Sequence, residues 1–93
     1  MKLFEWDNDK NKSLKSTRGI SFEEVVFYIF NDFVLDVVPH PNQDKYPGQK
    51  MLIINIDNYA YLVPFIETDK SVFLKTIIPS RKATKKYLGE VKK

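Results

Sequence analysis

The stretch Ile20-Ser21-Phe22-Glu23-Glu24-Val25 fixes where the chain first commits to regular structure. It has the form of a capping box. The Ser21 hydroxyl is placed to accept from the Glu24 amide, and the Glu24 carboxylate to reach back to the amide of Ser21. Ile20 before the cap and Val25 at the fourth helical position complete a hydrophobic staple. Beyond the cap, Phe22, Val25, Val26, Ile29 and Phe30 recur at i, i+3, i+4, i+7 and i+8, one apolar stripe of a helix. The spacing predicts a helix over residues 22–31. So many of its residues are β-branched or aromatic that tertiary packing, not propensity, must hold it.

Working outward, the C-terminal side reads as strands. Residues 33–38 are apolar apart from Asp36, and Pro39 stops them. Residues 40–49 hold two prolines, an asparagine and a glycine and form a loop. Residues 51–56 and 59–66 flank Asp57-Asn58, a pair that tolerates left-handed geometry and suits a two-residue hairpin turn. Pro64 within the second of these strands requires an edge position or a bulge. Residues 71–78 form a further strand ended by Pro79. Ser80 then caps a short basic helix over residues 81–88, closed by Gly89. On the N-terminal side, residues 3–6 alternate as a short strand and residues 9–15 form one or two helical turns before Gly19. The expected architecture is α+β in two layers: the helix over 22–31 packed on an antiparallel meander, with a short C-terminal basic helix. A chain of 93 residues makes one domain, residues 1–93.

Composition narrows the class. Hydrophobic residues are 43% and charged residues 29%, values of a globular chain rather than a disordered one. With no cysteine there are no disulfides and no thiolate metal sites. No run approaches the roughly 20 apolar residues that span a bilayer, and no apolar signal segment precedes Trp6. A cytoplasmic protein without a membrane partner is the expectation.

Charge is segregated. Lys10, Lys12, Lys15 and Arg18 form a cationic opening without a carboxylate after Asp9. From Glu23 to Asp69 there are eight carboxylates against Lys45 and Lys50. The last segment carries Lys75, Arg81, Lys82, Lys85, Lys86, Lys92 and Lys93 against Glu90 alone. Such runs form solvated faces, or, where the fold joins the two ends, one positive surface for a polyphosphate backbone. Lys82, Lys85 and Lys86 lie at i, i+3 and i+4 on one helical face, suited to RNA phosphates or to solubility alone. Arg81 stands at a helix start, a poor electrostatic place for a cation. Its planar fork would suit a phosphate clamp. His40 is the single histidine and the only near-neutral proton carrier, so a two-histidine mechanism is excluded. There is no glycine-rich phosphate loop and no specific pair of carboxylates.

Two segments carry a resemblance. Phe4-Glu5-Trp6-Asp7, then Lys10, then Arg18-Gly19-Ile20-Ser21-Phe22-Glu23, is similar to the opening of the BrnT toxins. Ile77-Ile78-Pro79-Ser80-Arg81-Lys82-Ala83-Thr84-Lys85-Lys86 resembles the closing segment of that family. The Lys-His that precedes the glycine in the family is Thr17-Arg18 here, and the family's asparagine on the first helix falls at Leu14. The resemblance implies a RelE-like fold and the toxin half of a type II toxin–antitoxin system. It further implies metal-independent cleavage of mRNA through attack by the 2′-hydroxyl, with no cofactor. The implied partners are a ribbon-helix-helix antitoxin and, through the complex with it, operator DNA. It brings Lys10 and Arg18 beside Arg81 and His40 as candidate catalytic residues, with Lys82, Lys85 and Lys86 binding RNA. A non-catalytic nucleic-acid- or antitoxin-binding module of the same fold is the alternative. Lys10 and Arg18 are expected to meet Arg81 and Lys82 in one basic patch.

Overall fold

A computed structural model of the chain describes residues 2–89; Lys92 and Lys93 of the basic end lie outside them. The elements run β1 Leu3–Glu5, α1 Asn8–Arg18, α2 Phe22–Phe30, β2 Val34–Pro39, β3 Lys50–Ile56, β4 Tyr59–Glu67, β5 Ser71–Leu74, β6 Ile78–Pro79 and α3 Arg81–Leu88. The fold is α+β, with a mostly antiparallel sheet in the order β1-β5-β4-β3-β2 and β6 added beside β4. Among the described residues only the β1–β5 pair is parallel. Asp57 and Asn58 both take positive φ, as the hairpin between β3 and β4 demands.

The capping box forms: the Glu24 amide donates to Ser21 Oγ at 3.2 Å and the Ser21 amide to Glu24 Oε1 at 2.8 Å. Ile20, Phe22 and Val25 are buried against β3, β4 and β5. Phe30, expected in the buried stripe, is 60% exposed, because the helix ends there and Asp32 turns the chain with φ of 67°.

The first helix is longer than its polarity suggests. It spans 11 residues, against the one or two turns expected over residues 9–15. Asp7 caps it, its Oδ1 accepting from the amides of Asp9 and Lys10 at 2.8 and 3.1 Å. Among its residues Asn11 and Leu14 are buried. Asn11 Oδ1 accepts from the Phe22 amide and Asn11 Nδ2 donates to Glu23 Oε1, each at 2.8 Å. One side chain thus satisfies an orphan donor at the start of α2 and ties the two helices at a fixed angle. The Asn11 bond, first among its causes, holds the Glu23 carboxyl below its ordinary pKa.

The strand expected over 71–78 is broken. Phe65 pairs with Leu74, whereas Leu62 pairs with Ile78, so residues 63–64 of β4 oppose residues 75–77. The extra residue is a bulge, and Pro64 sits opposite it. The Pro64 carbonyl accepts from the Lys75 amide at 2.8 Å. In a strand a residue's N–H and C=O point to the same side, so the donor that proline lacks also faces this neighbour. The ladder to β3 continues unbroken through Met51–Pro64.

Helices cover both faces of the sheet. Leu14 of α1 and Phe22 and Val25 of α2 lie in the main core, with Leu52, Ile54, Val63 and Leu74. Ala83 of α3 packs on the other face with Ile53 and Ala60, flanked by Leu35, Val38, Leu62 and Tyr87. A buried hydroxyl fixes α3 there. The Ala60 amide donates to Thr84 Oγ1 at 2.8 Å, and that hydroxyl donates to the Ser80 carbonyl at 2.7 Å. The Ser80 amide in turn donates to the Ala60 carbonyl at 3.0 Å. Thr84 is therefore inserted into one rung between residues 60 and 80, where Ser80 leaves the sheet to cap α3. At the far end of the helix the Tyr87 hydroxyl donates to Asp36 Oδ2 at 2.7 Å. That bond holds the Asp36 carboxyl below and the Tyr87 phenol above their ordinary values.

Replacing Thr84 with valine keeps the shape and orphans the Ala60 amide, so Thr84→Val should lower unfolding free energy by about 1–3 kcal/mol. Thr84→Ser should retain most of it. Denaturant unfolding of the three proteins checks the ranking, and a valine variant as stable as the parent contradicts the inserted-hydroxyl account. The Tyr87–Asp36 bond adds a pH dependence. Its contribution is present above the ordinary carboxylate range and lost as pH falls through the lowered Asp36 value. Asp36→Asn should therefore flatten the acid limb of a stability–pH profile.

Candidate functional site

Three separated segments meet where β4 and β5 part at the bulge. Lys10 from the first turn of α1, His40, Tyr46 and Gln49 from the β2–β3 loop, and Pro64, Lys75, Thr76 and Ile78 line a cleft of about 300 Å³. The bulge supplies Lys75 and Thr76 to its wall. Ile77 between them and β6 is fully buried in the main core, which anchors that wall. Lys75 Nζ lies 5.4 Å from the centre of the Phe73 ring.

The loop is held by its own side chains. Gln43 Nε2 donates to the carbonyls of His40 and Gln49 at 2.8 and 3.1 Å, and Gln43 Oε1 accepts from the Gly48 amide at 3.1 Å. The His40 and Tyr46 rings sit with centroids 4.5 Å apart. The Asn42 amide donates to His40 Nδ1 at 3.0 Å. In the neutral ring this places the proton on Nε2. His40 thus presents an N–H donor rather than a free lone pair.

Among the described residues no carboxylate lines the cleft. Lys10 stands in the first helical turn, an end of the dipole that repels cations and attracts anions. A described lining of two lysines, the single histidine, Thr76 and Gln49, with no acidic residue, suits an anion better than a cation. The lining groups can hold a phosphodiester, and Tyr46 supplies an aromatic ring beside it. Among the described residues no group of three or more His, Asp or Glu side chains is placed to hold a metal ion.

A second cleft of about 380 Å³ lies next to it, lined by Val38, Pro39, Pro41, Met51, Ile53, Leu62 and, from α3 and its cap, Ser80, Lys82, Ala83, Lys86 and Tyr87. The two share a wall. Pro39 and Pro41 line one and His40 the other; Met51 and its register partner Pro64 divide likewise. Lys82 and Lys86 thus line this second cleft, and Lys10 and Lys75 the first.

The sequence-based candidates separate accordingly. Lys10 and His40 come together; Lys82 and Lys86 line the adjoining cleft. Lys85 is exposed on α3 and lines neither cleft. Arg81 is exposed at the first position of α3 and also lines neither. Arg18 ends α1, about 12 Å along the axis from Lys10, on the side of the sheet away from α3. The expected patch of Arg18 with Arg81 is thus not assembled. β1 does pair with β5, but α1 leaves that edge for one face and α3 occupies the other. Lys75, Thr76 and Tyr46 were missed as site residues. Pro64 was the available signal: of the edge position or bulge it called for, the structure has the bulge, and this places Lys75 and Thr76 in the wall.

Comparison of the chain with protein-family models, with curated proteins and with solved structures finds no match.

If the cleft binds a nucleic-acid backbone, affinity should fall steeply with salt. Lys10→Ala and Lys75→Ala should each reduce the slope of log K against log salt by about 1, whereas Arg18→Ala should leave it unchanged. Fluorescence anisotropy with a labelled single-stranded RNA at several salt concentrations measures this. Equal effects from all three substitutions would contradict the cleft as the binding site.

Proposed function

We propose that this chain is the toxin component of a type II toxin–antitoxin pair, acting on RNA at the Lys10–His40–Lys75 cleft and neutralised by a small antitoxin. The observation that carries the RNA reading is the convergence of these three residues, from segments far apart in sequence, around one cleft with no carboxylate among its described lining residues, next to the cleft lined by Lys82 and Lys86. The toxin reading adds the paired resemblance of opening and closing segments to the BrnT family. Cytoplasmic action on mRNA follows from the same resemblance.

Metal-independent cleavage would use the 2′-hydroxyl as nucleophile, expelling the 5′-oxygen of the next nucleotide and leaving a 2′,3′-cyclic phosphate. Lys10 and Lys75 would stabilise the charge developing on the non-bridging oxygens. His40, with its proton on Nε2, would donate a hydrogen bond to the same phosphate. The proton of the 2′-hydroxyl must go to a base and the departing 5′-oxygen must take one from an acid; with Nδ1 engaged by the Asn42 amide, His40 has no free lone pair to serve as that base. The Asn42–His40 bond therefore favours a second reading, a module of the same fold that binds RNA without cutting it.

A cleavage assay with purified protein and a structured mRNA fragment separates the two. Cleavage with cyclic-phosphate ends, lost by about 100-fold or more in Lys75→Ala or Lys10→Ala, supports the nuclease. Binding without cleavage supports the module. Arg81→Ala distinguishes the clamp suggested by the family likeness from the one in the cleft: full activity in that variant assigns phosphate stabilisation to the two lysines. Expression of the intact chain should arrest growth, and harmless expression at a confirmed soluble level contradicts the toxin reading.

A further inference from the structure

Outside the clefts, the most unusual surface is the outer side of α2. Phe27 and Phe30 are each 60% exposed and Phe33, just beyond the helix, 40%. The rings fall in two groups on this side. Phe33 meets Tyr28 at 5.3 Å, Tyr28 meets Phe27 at 5.5 Å, and Phe30, three residues on, meets Phe4 at 5.8 Å. Scattered exposed apolar residues need no explanation, but three exposed phenylalanines within seven residues, on and just beyond one helix, mark an interface.

The charges around it choose the partner. Between Arg18 and Lys45 the chain has no lysine or arginine, while Glu23, Glu24 and Asp32 are carboxylates in or next to the helix. Glu23 and Glu24 stand four and three residues before Phe27, on its side of the helix. The counter-charge nearby is Lys15, 3.9 Å from Glu23 and on α1. A second copy of this chain fits poorly. An antiparallel pairing of two α2 helices sets carboxylates against carboxylates, and the cationic α3 shows no large exposed apolar side chain to cover the phenylalanines. An anionic membrane is repelled by the same rim.

We propose that the outer side of α2 is the docking surface for a partner protein's basic amphipathic helix, its apolar side chains seated on Phe27, Phe30 and Phe33 and its cations facing Glu23, Glu24 and Asp32. On the toxin reading this partner is the antitoxin, and only that identification rests on the reading. Its seat lies on the α1–α2 side of the sheet, opposite α3. Neutralisation from there would leave the Lys82–Lys86 surface of α3 uncovered.

The test uses the full chain and a labelled leucine–lysine amphipathic helical peptide, with a leucine–glutamate peptide of the same length and apolar pattern as its counterpart. The basic peptide should bind, the acidic one should not, and Trp6 fluorescence should respond, since its ring stacks on Phe22 of α2 at 5.7 Å. The double variant Phe27→Ser/Phe30→Ser should weaken binding at least about 30-fold. Glu23→Gln/Asp32→Asn should weaken it about threefold to tenfold and flatten its salt dependence. Both variants keep the buried face of α2, and circular dichroism verifies the fold. Unchanged RNA affinity in the serine variant separates this surface from the cleft, so failure of one claim does not carry the other. Equal binding of the two peptides, or binding indifferent to the serine substitutions, overturns the proposal. So does concentration-dependent self-association that those substitutions abolish, which would assign the surface to a second copy.

Discussion

A proline in a paired strand sets the shape of this molecule. Pro64 has no N–H to give, and the side on which that donor is missing faces the segment after β5. The cost is met locally: the Pro64 carbonyl still takes the Lys75 amide, and one extra residue lets the chain bow away before it pairs again at Leu62–Ile78. The bow buries Ile77 in the main core and leaves Lys75 and Thr76 at the surface, against the first turn of α1 and the β2–β3 loop. A regular strand over 71–78 would pair along the whole of β4 and leave no bow between them. The candidate site is thus a consequence of a backbone constraint, with the loop and helix closing it from either side.

Two side chains do work usually left to the backbone. Asn11 caps α2 from the preceding helix, and Thr84 completes a sheet rung from the following one. They explain much of the family-like sequence on structural grounds alone. Trp6 stacks on Phe22, Asp7 caps α1, Glu23 receives Asn11, Ser80 caps α3, and Ala83 and Thr84 dock it. Of the remaining matched residues, Lys10, Arg18, Arg81, Lys82, Lys85 and Lys86 are exposed. The resemblance is therefore weighted towards residues that build the fold; of the smaller exposed set, Lys10, Lys82 and Lys86 line clefts.

What was legible in the sequence was local. The capping box, the staple and the Asp57-Asn58 turn each involve residues within a few positions of one another, and each is present; Pro64 itself signalled an edge position or a bulge, and a bulge stands opposite it. The length of α1 was not legible, because the helix buries only Asn11 and Leu14 and shows no apolar stripe. Asn11 itself gave no signal, since its partners are 11 and 12 residues away. The convergence of Lys10, His40 and Lys75 depends on the parallel β1–β5 pairing and on a loop folded by Gln43, neither of which has a periodicity to read. Charge segregation pointed to the two ends of the chain but not to which residues share a face, so Arg18 was grouped with Arg81 across the sheet.

The central claim is that the bulge opposite Pro64 creates an anion-binding cleft from Lys10, His40 and Lys75. An NMR titration of the isotopically labelled chain with a short single-stranded RNA tests it most directly. The account predicts that the largest shift changes fall on the amides of Lys10, Asn42, Lys75 and Thr76 and on the His40 ring. His40 should carry its proton on Nε2 before RNA is added. Shift changes confined to α3 or to the outer side of α2, with these residues unmoved, would contradict it.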